Sequence, residues 1–275
     1  MLFSNKIRLF WWNEIKIQGK THENYGDLIG AYLVEKIANK KVVWVKPSTF
    51  SIWNWIRPIY VTAGSILTHV NRYCIVWGSG IISKQYHVKN AQFLAVRGPK
   101  TRAFLLEKGC NVPEIYGDPA LLLPNYYQPT IEKKYEYGII PHYNDMHLVK
   151  EWFKGNDKIC IINLMTNDVA SKTNEILRCK KIVSSSLHGI IVAHTYQIPA
   201  VWQKFSDKVF GDNIKYEDYM ESVALPFYQP SIRTTEYTQL ELEALFTNYP
   251  SLPTVQTIEQ LKKGLMDVCP FKSKN

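Results

Sequence analysis

Residues 181–202 read KIVSSSLHGIIVAHTYQIPAVW and set one imidazole, His188, between three consecutive serines and a glycine. A buried core would leave Ser184, Ser185, Ser186 and His188 short of partners once they left water. A surface turn would not run straight into Ile190, Ile191, Val192 and Ala193. The pattern fits a strand end passing into a helix. Serine hydroxyls and the first-turn N–H groups around Leu187 and Gly189 would then cradle an anion, with His188 beside it to give or take a proton near neutral pH. The plainer alternative is that one serine caps the helix and His188 is a satisfied boundary residue.

Two other junctions follow the same logic. Arg97 closes the apolar run QFLAV, and Lys100 stands in the first helical turn behind Gly98 and Pro99. A cation there opposes the helix dipole by ~0.3–1 kcal/mol unless an anion offsets it. Arg97 is the better ligand candidate because its planar fork can hold a carboxylate or phosphate by two bonds. In YGDPALLL the chain turns at Gly117 and presents Asp118, either as a site residue or as an ordinary Asp-Pro turn.

Positioning these residues requires alternating strands and helices. Short apolar runs at 7–12, 41–45, 59–63, 74–78 and 92–96 are bounded by Gly, Pro or Asn, as buried parallel strands are. Ile29, Leu33 and Ile37 mark one helix face, and Pro99 and Gly109 bracket another helix. PNYYQP (124–129) has two prolines and no helical period, which predicts a linker. The alternation then restarts and closes on a helix over 254–268. Two consecutive Rossmann-like β/α domains facing a cleft, 1–128 and 129–275, account for this order, with the last helix free to pack back on the first domain.

The 33 Lys and Arg outnumber 24 acids, a formal charge of +9 that favours anionic partners. Zinc-finger spacing, RNP-like aromatics and a long basic stripe are all missing, which argues against nucleic acid. No run approaches the ~20 apolar residues of a membrane span, and the N-terminus has no signal-peptide pattern. Five scattered cysteines without a C-x-x-C pair are expected to be buried free thiols. These features predict a cytoplasmic chain. Clustered metal ligands are absent, so no metal is expected.

Seven stretches in order, NYGDLIGAYL, VWGSG, VRGPKTR, YGDPALLLP, IIPHY, SSSLHGIIVAHTYQIPAVW and IKYEDYMES, resemble the polysaccharide pyruvyl transferase family across about residues 22–222. The resemblance implies transfer of a pyruvyl group from phosphoenolpyruvate to a sugar, as a cyclic ketal on two hydroxyls. It also implies a glycosyltransferase-B-like fold with the donor in the interdomain cleft. The family's histidine falls on His188 and its strand-end arginine on Arg97, the expected catalytic pair. Some relatives carry a second arginine where this chain has Ser186, so Lys215 or Lys100 is expected to supply that cation. Asp27 and His142 should face the same cleft and contact the sugar, although Asp27 can equally be a first-turn acid complementing the dipole. No cofactor is needed beyond the donor itself.

Two alternatives remain from the residues: a metal-independent nucleotide-sugar glycosyltransferase of the same architecture, and a non-enzymatic polysaccharide-binding protein, which the eight tryptophans favour. The resemblance further implies a cell-surface polysaccharide, or its lipid-diphosphate-linked precursor, as acceptor. STFSIWNWIRPIY (48–60) joins aromatics to Arg57 and suits peripheral contact with the inner face of a membrane, or else packs as core.

Overall fold

The computed structural model describes residues 6–272. The first half supplies β1 (Ile7–Phe10), α1 (Glu14–Gln18), β2 (Glu23–Asn24), α2 (Tyr25–Ala38), β3 (Val42–Trp44), β4 (Ile59–Val61), β5 (Cys74–Trp77), β6 (Gln92–Ala95), α3 (Pro99–Glu107) and α4 (Leu123–Tyr126). The second half supplies β7 (Tyr135–Ile140), α5 (Met146–Trp152), β8 (Ile159–Ile161), β9 (Met165–Thr166), α6 (Val169–Leu177), β10 (Cys179–Ser184), α7 (Leu187–Thr195), β11 (Ala200–Trp202), α8 (Ile214–Ser222), α9 (Gln239–Asn248) and α10 (Val255–Asp267).

Five of these strands form a parallel sheet in the order β3-β1-β4-β5-β6, and four form another in the order β11-β10-β7-β8. Side chains at the strand centres, such as Leu9, Val61, Val76, Ile139 and Val183, are fully buried or nearly so. That explains why these strands read as continuous apolar runs rather than as alternating ones.

Each sheet reverses its winding direction once. In the first, β3 lies on one side of β1 and β4 on the other; in the second, β8 lies on one side of β7 and β10 on the other. Crossover connections leave to opposite faces at such a point, and a crevice opens beyond the carboxyl ends of the two central strands. Trp11–Asn13 and Ala63–Ser65 follow β1 and β4, while Pro141–His142 and Ser185–Ser186 follow β7 and β10.

The halves are tied together directly. β2 pairs antiparallel with β9, Glu23 opposite Thr166. Tyr25 N donates to Leu164 O at 2.8 Å, and the Tyr25 hydroxyl meets Thr173 Oγ1 at 2.7 Å. One buried cluster runs from Leu9, Ile29 and Trp77 through Leu122 to Ile140, Ile182 and Ile190. α10 returns to the first half, where Trp77 Nε1 donates to Leu265 O at 2.9 Å.

The predicted linker is ordered differently. Leu123–Tyr126 forms one helical turn with Pro124 at its start, a position where the missing N–H costs nothing. Tyr196 then anchors the turn by donating its hydroxyl to Tyr127 O. Pro129 lies beyond the turn, outside any helix. All five cysteines are free thiols.

Candidate active site

A cavity of about 660 Å³ sits where the carboxyl ends of both sheets converge. Trp12, Glu14, Gly64 and Ser65 line it from the first sheet, and His142, Ser185, Ser186 and His188 line it from the second. Asp27 enters from the first turn of α2 and Lys215 from the first turn of α8. The reversal of winding in each sheet is thus what opens the site.

His188 is held by its surroundings. Its Nε2 lies 3.4 Å from Asp118 Oδ2, and the two side chains are 12% and 0% exposed. Neither atom has another hydrogen-bond partner, so each is the other's nearest relief from desolvation. Acid–base hydrogen bonds are often long in the absence of substrate and tighten with it. Asp118 is itself fixed, because its Oδ1 accepts from Ala120 N at 2.9 Å. On the other side a Cβ at Gly26 would fall 2.0 Å from His188 Nδ1. The glycine of NYGDL is therefore the space the imidazole occupies.

The serines divide their work. Ser184 is fully buried, accepting from Ser186 N at 2.9 Å and donating to Ser186 O at 2.8 Å. Ser185 Oγ accepts from His142 N at 2.7 Å, which ties the β10 end to the β7 end. Ser186 stands at the start of α7 and makes no side-chain capping bond; with Leu187 and His188 it lines the cavity, at a helix end whose first N–H groups have no partner within the helix.

Lys215 is the one lysine or arginine among the cavity-lining residues. Its neighbours fix it there: Tyr216 donates its hydroxyl to Ser185 O at 2.6 Å, and Asp218 grips the Arg97 junction. Burial, and next the nearby Arg97 charge, push the Lys215 ammonium down to about 8, against the pull of Asp27. Burial also raises the Asp27 carboxyl to about 7, opposed by His188 and Lys215 and assisted by Glu14 and Glu23. Asp27 Oδ1 would meet a Cβ on Gly64 at 2.9 Å, and Gly64 has φ +106°, so a glycine serves both needs. His142 is pushed down to about 4 by burial and by Lys215 and is neutral at pH 7.

Five expected ligands stand outside the cavity lining. Arg97 is fully buried behind the cavity wall, with Nε on Asp218 Oδ2 at 2.9 Å, Nη1 on Ser65 Oγ at 2.5 Å and Nη2 on Ile81 O at 2.8 Å. It braces the wall and is not among the lining residues, because a guanidinium sealed from water must spend its donors on the protein. Lys100 pairs with Glu217 at 3.1 Å and Glu221 at 3.0 Å on the outer face of α8 and is not among the lining residues. Gly189 and Ser184 are packing partners, since a Cβ on Gly189 would lie 2.5 Å from Ser184 Oγ. Asp118 reaches the cavity only through His188.

Residues 5–202 match the polysaccharide pyruvyl transferase family. The chain belongs to that family. As a family member it is a pyruvyltransferase acting toward polysaccharide. It is also 34% identical over 248 residues, 87% of this chain and 85% of the relative, to "Uncharacterized protein L143" of Acanthamoeba polyphaga mimivirus. All of the cavity's pyruvyltransferase candidates lie inside the matched span except Lys215, which α8 brings back from beyond it.

Sequence reasoning overlooked Trp12, Glu14, Ser65 and Asn163 as lining residues. Their signal was positional. Each follows a strand end, but only the sheet order shows which strand ends are adjacent. Among the described residues no group of three or more His, Cys, Asp or Glu side chains is placed to hold a metal ion.

Proposed function

We propose that this pyruvyltransferase takes its pyruvyl group from phosphoenolpyruvate and closes a cyclic ketal on two hydroxyls of a sugar. The acceptor is a cell-surface polysaccharide or its lipid-diphosphate-linked precursor, met from the cytoplasmic side. The two halves act as a glycosyltransferase-B-like pair with the donor between them. The observation that carries this reading is the His188–Asp118 pair beside Lys215, Ser186 and the start of α7 in a single cavity.

The donor's carboxylate and phosphate suit the Lys215 ammonium, the Ser186 hydroxyl and the first-turn N–H groups of α7. A proton delivered to the donor's methylene carbon turns it into a methyl and leaves electron deficiency on the adjacent carbon. One sugar hydroxyl bonds there and loses its proton. Phosphate leaves with the C–O bonding pair, and the second hydroxyl bonds to the same carbon, again losing a proton. One proton enters, two leave, and the departing phosphate carries one of them.

Two acid–base groups face this sequence. Asp27, with its carboxyl raised to about 7, carries a proton in about half of the molecules at neutral pH and can donate it. His188, oriented by Asp118, exchanges protons with the hydroxyls or the donor. Arg97 contributes its field through the wall and keeps Ser65 in place.

The test is incubation of the protein with phosphoenolpyruvate labelled in its pyruvyl carbons and lipid-diphosphate-linked oligosaccharides, in excess chelator. Phosphate release matched by label in the sugar is expected. Sugar transfer from a nucleotide sugar, with no label taken from phosphoenolpyruvate, would replace this reading with a glycosyltransferase one.

A further inference from the structure

The turn before β4 stands apart from the rest of the surface. Phe50 is 90% exposed, Ile52 66%, Trp53 49%, Trp55 66% and Ile56 71%. Five large apolar side chains within seven positions face water, where scattered single ones are the norm. The turn is well built in spite of this. Arg8, at the start of β1, donates from Nη1 to Trp53 O at 3.1 Å and to Arg57 O at 2.5 Å, and from Nη2 to Asn54 Oδ1 at 2.5 Å. Asn54 Nδ2 donates to Thr49 O at 3.1 Å. A buried arginine thus holds the backbone in a shape that pushes its apolar side chains outward, a local cost in water with no return inside the described chain.

The charge of the sequence that contains the turn is one-sided. From Lys36 to Arg102 the sequence carries eleven Lys and Arg, and no Asp or Glu occurs between Glu35 and Glu107. The remaining residues carry 22 cations against 24 acids, so the excess of +9 comes from this one stretch. Lys41, Arg97 and Lys100 pair with acids from other parts of the chain. Arg72 lies over the Trp55 ring at 4.7 Å, which places a cation at the edge of the apolar group itself.

We propose that residues 50–56 dock the protein on an anionic lipid surface. Apolar and aromatic side chains flanked by cations gain from both the acyl boundary and the headgroup charge, whereas an anionic polymer would use the cations alone and leave the apolar group in water. Among the described residues no helix is long and apolar enough to cross a membrane, so the contact is peripheral. The face is also separate from the cavity. Arg8 binds the turn at the amino end of β1, and Trp12 lines the cavity beyond its carboxyl end. None of residues 50–56 is among those that line the cavity.

Sedimentation with phosphatidylcholine/phosphatidylglycerol vesicles tests this, beside pure phosphatidylcholine vesicles and across rising salt. The wild-type chain should pellet with the anionic vesicles, release as salt screens the charge, and stay in solution with the neutral ones. A Phe50→Ser/Ile52→Ser/Ile56→Ser variant should partition about tenfold less or weaker still, with an unchanged melting curve. Should the triple variant lose its melting transition, Phe50→Ser alone repeats the measurement and should still partition measurably less. Four results would overturn the proposal: no pelleting of wild type, equal pelleting with neutral vesicles, wild-type partition in the folded variant, or a wild-type dimer that the variant turns into a monomer.

Discussion

Two strand-end junctions in this molecule carry a basic side chain beside an acid, and they do opposite things. At the first, Arg97 meets Asp218, and every neighbour is satisfied: Asp218 also accepts from Thr101 N at 2.8 Å and Thr101 Oγ1 at 2.7 Å. At the second, His188 meets Asp118 at 3.4 Å, and both facing atoms lack any further partner. A closed network rigidifies; an incompletely satisfied pair next to a cavity keeps capacity for a ligand or a proton. Residue type alone would have ranked arginine as the stronger anion ligand. Burial reversed that order.

The comparison breaks most sharply under paired substitution. His188→Ala should lower turnover by ~10²–10⁴-fold and leave the melting curve nearly in place. Arg97→Ala should cost about 3–5 kcal/mol of stability, because it strands the Asp218 carboxylate in the interior. Phosphate-release assays corrected for folded fraction, run beside thermal melts, read both. A stable Arg97→Ala protein with no activity would move Arg97 into the site after all.

A smaller effect distinguishes the cations. The Lys215 ammonium, lowered to about 8, loses its charge as pH rises through that value. The KM for phosphoenolpyruvate should therefore climb by about tenfold per pH unit above 8 once that charge is required. Lys215→Arg keeps its charge and should flatten the climb. The same alkaline rise in Lys215→Arg would assign it to another group.

The smallest expected change is in stability. Asp27 titrates near 7 in place of its ordinary 3.8, so the folded chain retains a proton that the unfolded chain has already lost. Its contribution to stability falls as pH rises from about 4 to about 7 and remains unfavourable above. Asp27→Asn should raise the melting temperature above pH 7 by roughly 2–4 °C, equivalent to about 1 kcal/mol, and leave it unchanged below pH 4. Turnover should fall in the same variant, since a residue strained by burial and kept for chemistry trades stability for function. A variant as active as wild type would make Asp27 a helix-start acid only.

Much of the arrangement is legible in the primary structure, for local reasons. The five apolar runs of the first half contain the five strands of its parallel sheet, because a strand covered on both faces tends to be apolar throughout. SSSLHG marked a strand-to-helix junction because polar groups so concentrated need either ligands or one another; Ser184 turns inward onto Ser186, and Ser186 lines the cavity. His188, Asp27, His142 and Lys215 line one cavity. The β2–β9 pairing has no signature in the sequence because two-residue strands carry no periodicity. α9 likewise lay in a segment without a motif to draw attention to it.

What the amino-acid order determined alone was therefore the set of elements, the apolar faces and the chemical inventory at strand ends, all of which depend on residues close together in the chain. What only the tertiary structure decided was which of those strand ends meet and which charges are already spent. Arg97 and Asp218 are 121 positions apart, and His188 and Asp118 are brought together from different halves across one continuous core. Whether a charge is free to bind depends on its distance to a partner and on the water it has lost, and both quantities come into being only when the sheets pack.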